Sequence, residues 1–281
     1  MKSYYSRSVL TVMCIFTIMF SFGQVPEEKL GWKLGAQAYT FKEFTFFEAI
    51  EKIKSCGLSF VEAFPGQEIG GGIPGVMGTD LSEQSRIAIL EKLDQEGVEL
   101  ISYGVVGAKG REQWLDLFEF ANRMGIEVIT AEPVPEEVPM VRELAKESGI
   151  RVAIHNHPKP STYWHPATVL EVLKDPDYWI GACADTGHYV RSGLEPLECI
   201  SMLEGNIIEL HLKDLNKRDA VAHDVIWGTG VSNLQGILEE LKRQGFRGAF
   251  FVEYEHNWKN SVPEIRRSVE FFRQTVQELQ K

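Results

Sequence analysis

The sequence predicts a single (β/α)8 TIM barrel, and three observations carry that expectation. Short apolar runs of strand length alternate with amphipathic helical stretches, and the pair recurs eight times at about 30 residues per unit. Carboxylates and imidazoles fall repeatedly at the C-terminal ends of the runs, where a barrel keeps its chemistry. The runs themselves are almost continuously apolar, as parallel strands buried on both faces are. A doubly wound open sheet is the alternative. It wants a glycine-rich phosphate turn after its first strand, and the residues after Tyr39 are Thr-Phe-Lys-Glu-Phe.

The units follow in order. Leu34 to Tyr39 is the first strand, and Thr45 with Glu48 is spaced as a capping box for a helix that Gly57 closes. Phe60 to Phe64 is the second; its helix is expected from near Asp80, with Glu83 three residues on, to Gly97. Glu99 to Tyr103 and a helix closed by Gly125 come next, then Val128 to Ala131 and a helix over Pro135 to Ser148 stopped by Gly149. The last four strands are Arg151 to His155, Ile180 to Ala184, Ile207 to Leu212 and Ala249 to Glu253. Their helices are expected near Thr168–Lys174, Glu195–Leu203, Leu234–Gln244 and Val262–Leu279. Pro65 to Thr79, rich in glycine, reads as a long irregular loop at the active-site end.

The N-terminus has a different character. Lys2 and Arg7 precede an apolar run from Val9 to Phe20, and Ser21-Phe22-Gly23 follows, the pattern of a secretory signal peptide. The run is short of the roughly 20 residues a membrane-spanning helix needs. Cleavage after Gly23 gives a signal peptide over residues 1–23 and a barrel over 24–281, exported to the periplasm and free of the membrane. Removing 23 residues with two basic and no acidic side chains from a 281-residue chain of net charge −11 leaves 258 residues at −13. So acidic a chain, with no basic cluster, argues against a nucleic-acid partner. Cys56, Cys183 and Cys199 are too few and too scattered for a disulfide framework. Nothing in the sequence indicates an oligomeric state.

The strand ends carry the chemistry. Strand four ends at Glu132, and strand five in H-N-H with His155, Asn156 and His157. Strand six runs into A-D-T-G-H with Asp185 and His188, strand seven is E-L-H-L-K-D with His211, Lys213 and Asp214, and strand eight ends at Glu253, Glu255 and His256. Each residue alone has an ordinary explanation: Glu132 a solvated cap, His155 a satisfied core imidazole, Asp185 a cap for the turn at Gly187, His223 and His256 surface residues. Together they do not. Asp185, His211 and Glu253 would converge at one mouth, and mixed oxygen and nitrogen donors suit Mn²⁺, Co²⁺, Zn²⁺, Mg²⁺ or Fe²⁺ without choosing among them. Trp164 and Trp227 fall in loops at that end and could stack on a sugar ring, whereas Trp32, Trp114 and Trp258 read equally well as packing. G-T-G at 228–230 is a weak phosphate signal or a plain turn.

A-D-T-G-H at 184–188, E-L-H-L-K-D at 209–214 and F-V-E-Y-E at 251–255 resemble the xylose-isomerase-like barrel superfamily. That group holds sugar isomerases and epimerases, inosose dehydratases and AP-endonuclease-type enzymes. The resemblance implies a metal held by Asp185, His211, Glu253 and a carboxylate from strand five. This chain departs there: it has His155-Asn156 where many epimerases have Glu-Asn, and its His-rich end is similar to the inosose dehydratase branch. Glu132 or His155 is then the fourth ligand. The epimerases use two carboxylates as an acid/base pair; with one missing, His157, His188, Lys213 or Glu132 takes the second role beside Glu253.

These features lead to a metal-dependent isomerase or epimerase that moves a proton next to a carbonyl of a small sugar or polyol. Loss or addition of water on a keto-sugar or inosose is the alternative outcome. A sugar-binding protein on an inactive barrel is a reading of another class, against which the intact ligand positions stand. A phosphodiester nuclease wants more ligands and a basic mouth. Export favours free sugars or glycosides over phosphorylated ones.

Overall fold

The computed structural model describes residues 25–174 and 177–281, so the expected signal peptide lies outside the described residues. Eight parallel strands close a barrel in chain order: β1 (Lys33–Gln37), β2 (Phe60–Ala63), β3 (Glu99–Val106), β4 (Val128–Ala131), β5 (Arg151–His155), β6 (Ile180–Asp185), β7 (Ile207–Leu212) and β8 (Ala249–Val252), with β8 returning to β1. Around them run α1 (Phe46–Ser55), α2 (Glu83–Glu96), α3 (Gly110–Met124), α4 (Val138–Ser148), α5 (Pro166–Leu173), α6 (Thr186–Arg191), α7 (Pro196–Met202), α8 (Leu234–Arg243) and α9 (Val262–Leu279). No helix among the described residues is long and apolar enough to cross a membrane.

Local signals set most boundaries. The Thr45 hydroxyl accepts from Glu48 N while the Glu48 carboxylate accepts from Thr45 N at 2.9 Å, which is the expected capping box. α2 begins later than the sequence suggested. Ser82 is its cap, taking Ser85 N at 3.0 Å, and the Asp80 carboxylate is engaged by the Thr79 hydroxyl instead. The stretch from Pro65 to Thr79 is also more regular than expected: Glu68–Gly70 and Ile73–Val76 pair as an antiparallel hairpin that buries Ile69. α6 follows β6 with no loop between, because Asp185 both ends the strand and caps the helix. The three cysteines beyond the N-terminal segment are buried and unpaired.

The main core fills the space between strands and helices. Trp32 is part of it: its indole N–H donates to Phe246 O at 2.8 Å, and its ring packs on Phe250 at 4.9 Å. Trp114 is fully buried as well, so both are packing residues. The interior of the barrel is more polar. Glu209 of β7 reaches across it to the hydroxyls of Ser102 on β3, at 3.1 Å, and Thr130 on β4.

Burial, with the nearby charge of Glu62, pushes the Glu209 carboxyl up to about 8. In the unfolded chain it titrates near 4.3. Between those values the folded chain holds a proton that the unfolded chain releases, so this group's contribution to stability falls as pH rises through that window. Glu209→Gln keeps the acceptor for both hydroxyls and removes the titration. It is expected to raise the thermal midpoint more at pH 8 than at pH 5; an equal change at both values would contradict the assignment.

Candidate metal centre and substrate cavity

Four strand ends meet at the C-terminal mouth. His155 ends β5 and Asp185 ends β6; His211 lies opposite Asp185 in the β6–β7 register, and Glu253 follows β8 directly. All four are buried, and one donor atom from each lies within 4.8 Å of the others. His155 Nε2, Asp185 Oδ2, His211 Nδ1 and Glu253 Oε2 have no well-directed hydrogen bond, although the Lys213 ammonium stands 2.9 Å from the Asp185 oxygen and 2.7 Å from that of Glu253. Burying four polar atoms with unsatisfied lone pairs is costly unless a cation takes them up. Two imidazole nitrogens and two carboxylate oxygens are a fitting set for a divalent metal.

The neighbouring residues explain the motifs. Asp185 divides its two oxygens: Oδ1 accepts from His188 N at 2.7 Å and caps α6, leaving Oδ2 to face the cluster. Its role as a cap and its place in the cluster therefore coexist. Asn156 clamps the Asp185 backbone from both sides, accepting from its N–H at 2.8 Å and donating to its carbonyl at 3.0 Å. Thr186 bonds the backbone N and O of Lys213, each at 2.8 Å. Gly187 is glycine because a Cβ there would stand 2.7 Å from the Lys213 side chain. D-T-G-H is thus a ligand candidate, a latch to β7, room for a lysine and a cavity imidazole.

Each imidazole of the cluster has a carboxylate behind it. Glu62, buried on β2, accepts from His211 Nε2 at 2.6 Å, which leaves Nδ1 turned inward. Glu132 stands 3.7 Å from His155 Nδ1 and bonds His157 Nδ1 closely. The sequence left Glu132 and His155 open as the fourth ligand. The geometry puts His155 in the four-residue cluster and Glu132 in a separate group with His155 and His157. Burial opposes the Glu132 charge, but the two histidines outweigh it and hold the carboxyl well below its ordinary range.

Above the cluster is a cavity of about 580 Å³ lined by Gln37, Tyr39, Phe64, His157, His188, Arg191, Glu253 and Glu255. Gln37 is fixed by donating to Gly104 O at 2.6 Å and accepting from Tyr39 N at 2.7 Å. Lys213 is fully buried; burial disfavours its charge, yet Asp185, Glu253 and Glu255 prevail and keep the ammonium protonated. His188 is pushed the other way, well below the usual imidazole range, by burial with Lys213 and His155 beside it. The aromatic wall differs from the one expected. Trp227 is buried against Phe272 at 6.1 Å, and neither it nor Trp164 is part of the lining. Tyr39 and Phe64 form the wall, edge to face at 5.2 Å, with Trp258 behind Tyr39 at 5.8 Å. His223 and His256 are exposed, as expected, and stack on each other at 4.5 Å.

Sequence reasoning missed Glu62, Arg191 and Gln37. Glu62 was detectable as a lone carboxylate in the apolar run F-V-E-A. Arg191 lies one helical turn beyond His188, on a helix too short to announce itself. Gln37 gave no signal.

The chain belongs to the xylose isomerase-like TIM barrel family, whose model matches residues 50–275. Members are sugar isomerases, epimerases or dehydratases. A solved structure of an uncharacterised protein from Parabacteroides distasonis is 34% identical, with a TM-score of 0.72 over 87% of this chain and 99% of that one. Inosose dehydratase 2 of Bacillus cereus is 28% identical over 135 residues, 41% of this chain and 44% of its own length, so the match spans less than half of that relative. The zinc-bound IolI protein is 17% identical, with a TM-score of 0.69 over 88% of this chain and 99% of that one, a likeness of fold.

Replacing His211 or His155 by Ala should each abolish stoichiometric divalent-metal binding without unfolding the barrel. Glu132→Ala should retain the ion with roughly 10- to 100-fold weaker affinity, as befits a residue that orients a ligand. Metal analysis after gel filtration checks this. Metal lost completely in Glu132→Ala and kept in His155→Ala would reverse the roles.

Proposed function

We propose that this chain is a divalent-metal-dependent enzyme that transfers a proton next to a carbonyl of a sugar or keto-sugar, isomerising or epimerising it. One observation carries the reading. Four buried donor atoms without a well-directed hydrogen bond meet beneath a cavity whose wall holds both a carboxylate, Glu253, and an imidazole, His157, from strands three places apart in the barrel. A divalent metal held by His155, Asp185, His211 and Glu253 would polarise a carbonyl oxygen.

The chain's own residues do the rest. Glu253 is kept ionised: burial resists it, but Lys213 and His211 hold its carboxyl below the usual range, so it can accept a proton. His157 has Nδ1 on Glu132, which sets the ring and leaves the other nitrogen for proton exchange on the opposite wall. His188, neutral in its buried place, and Gln37, fixed by its two hydrogen bonds, are suited to hold substrate hydroxyls. Tyr39 and Phe64 offer apolar faces to the ring carbons. The N-terminal pattern supports placing this enzyme outside the cytoplasm.

A second reading is dehydration of a keto-sugar or inosose. It is favoured by His155 and His157, which supply imidazoles where epimerases place a carboxylate, and by the inosose dehydratase likeness. Both outcomes begin with removal of the same kind of proton.

The metal-loaded protein is expected to incorporate deuterium from D₂O at one carbon of a keto-sugar. Glu253→Gln should slow this by at least the roughly 10²-fold typical of a lost general base, with metal content measured in parallel. A wild-type protein that binds metal and sugar but exchanges no proton across a broad panel would overturn the enzyme reading in favour of a binding protein.

A further inference from the structure

We propose that the cavity is built for an uncharged sugar or polyol and rejects phosphorylated ones, because Asp214 occupies the backbone amides of the loop after β7 and Glu255 and Asp224 engage the cations at the cavity. This rests on the cavity being the substrate site.

The first observation is in the loop after β7. Barrels commonly hold phosphate on backbone amides of the loops after their seventh and eighth strands. Here that loop is Gly228-Thr229-Gly230, and its amides are already taken. Gly228 N and Gly230 N donate to Asp214 Oδ2, both at 2.9 Å, and Ser232 N donates to Asp214 Oδ1 at 3.0 Å. Asp214 is 1% exposed, and a Cβ on Gly230 would stand 2.3 Å from its Oδ1. The weak phosphate signal in the sequence is thus a nest for an internal carboxylate. An external phosphate would have to displace a buried, three-fold hydrogen-bonded group.

The second observation concerns the cations. Arg191 is the one lysine or arginine among the described residues that line the cavity. Its fork is spent: Nη2 lies 3.1 Å from Asp224, Nη1 3.5 Å from Glu255, and Nε donates to Ala222 O at 3.3 Å. Lys213, beneath, is shared among Asp185, Glu253 and Glu255, the last at 2.5 Å. Lys42 and Lys159 lie over the rings of Trp258 and Trp164, at 3.8 and 3.9 Å. With Glu253 engaged by the metal, a phosphate ester in the cavity would meet the Glu255 carboxylate while Arg191 and Lys213 are already matched, and like charges brought together in an interface are strongly disfavoured. Hydroxyl groups meet no such penalty, since the same carboxylate accepts hydrogen bonds from them.

The test compares a five-carbon polyol with its terminal monophosphate on metal-loaded protein, by calorimetry and without turnover. The wild type is expected to bind the ester at least about tenfold more weakly than the parent polyol. Glu255→Gln, nearly isosteric, removes one charge from beside both Arg191 and Lys213, and should narrow that ratio about tenfold. Asp224→Asn, which removes the partner of Arg191 Nη2, provides a second arm in the same direction. An ester that binds the wild type as tightly as the polyol, or a ratio unmoved in both variants, overturns the inference and leaves the proton-transfer reading standing. If neither ligand binds, the substrate-cavity reading fails and this inference with it.

Discussion

The mouth of this barrel depends on keeping Asp185 ionised with no solvent contact. Burial alone would push its carboxyl upward; Lys213 and His155 hold it well below the ordinary range. Its two oxygens have separate duties, Oδ1 tied to the first turn of α6 and Oδ2 turned to the cluster. Much else follows from satisfying that one buried charge. Asn156 fixes its backbone, Thr186 ties its strand end to β7, and Gly187 makes space for the lysine that faces it.

The same economy governs the wider cavity. Charge is abundant, but nearly all of it is internally matched: Lys213 by three carboxylates, Arg191 by two, Asp214 by three backbone amides. The four donor atoms beneath the cavity, two nitrogens and two oxygens, lack well-directed hydrogen bonds and share the one ammonium of Lys213 on their oxygens. The carboxylate of Glu62 behind His211 belongs to the same design, since it fixes which ring nitrogen turns inward.

The barrel was legible because its period is coarse and its signals are local. Capping at Thr45 and the glycine stops at Gly97, Gly125 and Gly149 lie where the sequence put them, and all eight strands formed in the expected order. Asp185, His211 and Glu253 were legible because ionisable residues interrupt apolar strand ends. The choice between Glu132 and His155 was not, since adjacent strands bring both side chains to the same few ångströms and only side-chain direction separates them. Trp227 misled because a loop position says nothing of which way a ring turns; it turns into the core against Phe272. Asp80 misled because Ser82, two residues on, makes an equally good cap. The internal use of the G-T-G amides by Asp214 depends on a contact across 14 to 18 residues that no spacing rule reveals.

The central claim is that two imidazoles and two carboxylates hold one divalent metal. X-ray absorption spectroscopy of the zinc-loaded wild-type protein tests it most directly, because imidazole rings leave a multiple-scattering pattern whose amplitude counts them. The account predicts two imidazoles, His155 and His211, with the remaining ligands oxygen. A spectrum that fits a single imidazole, unchanged when His155 is replaced, would contradict it.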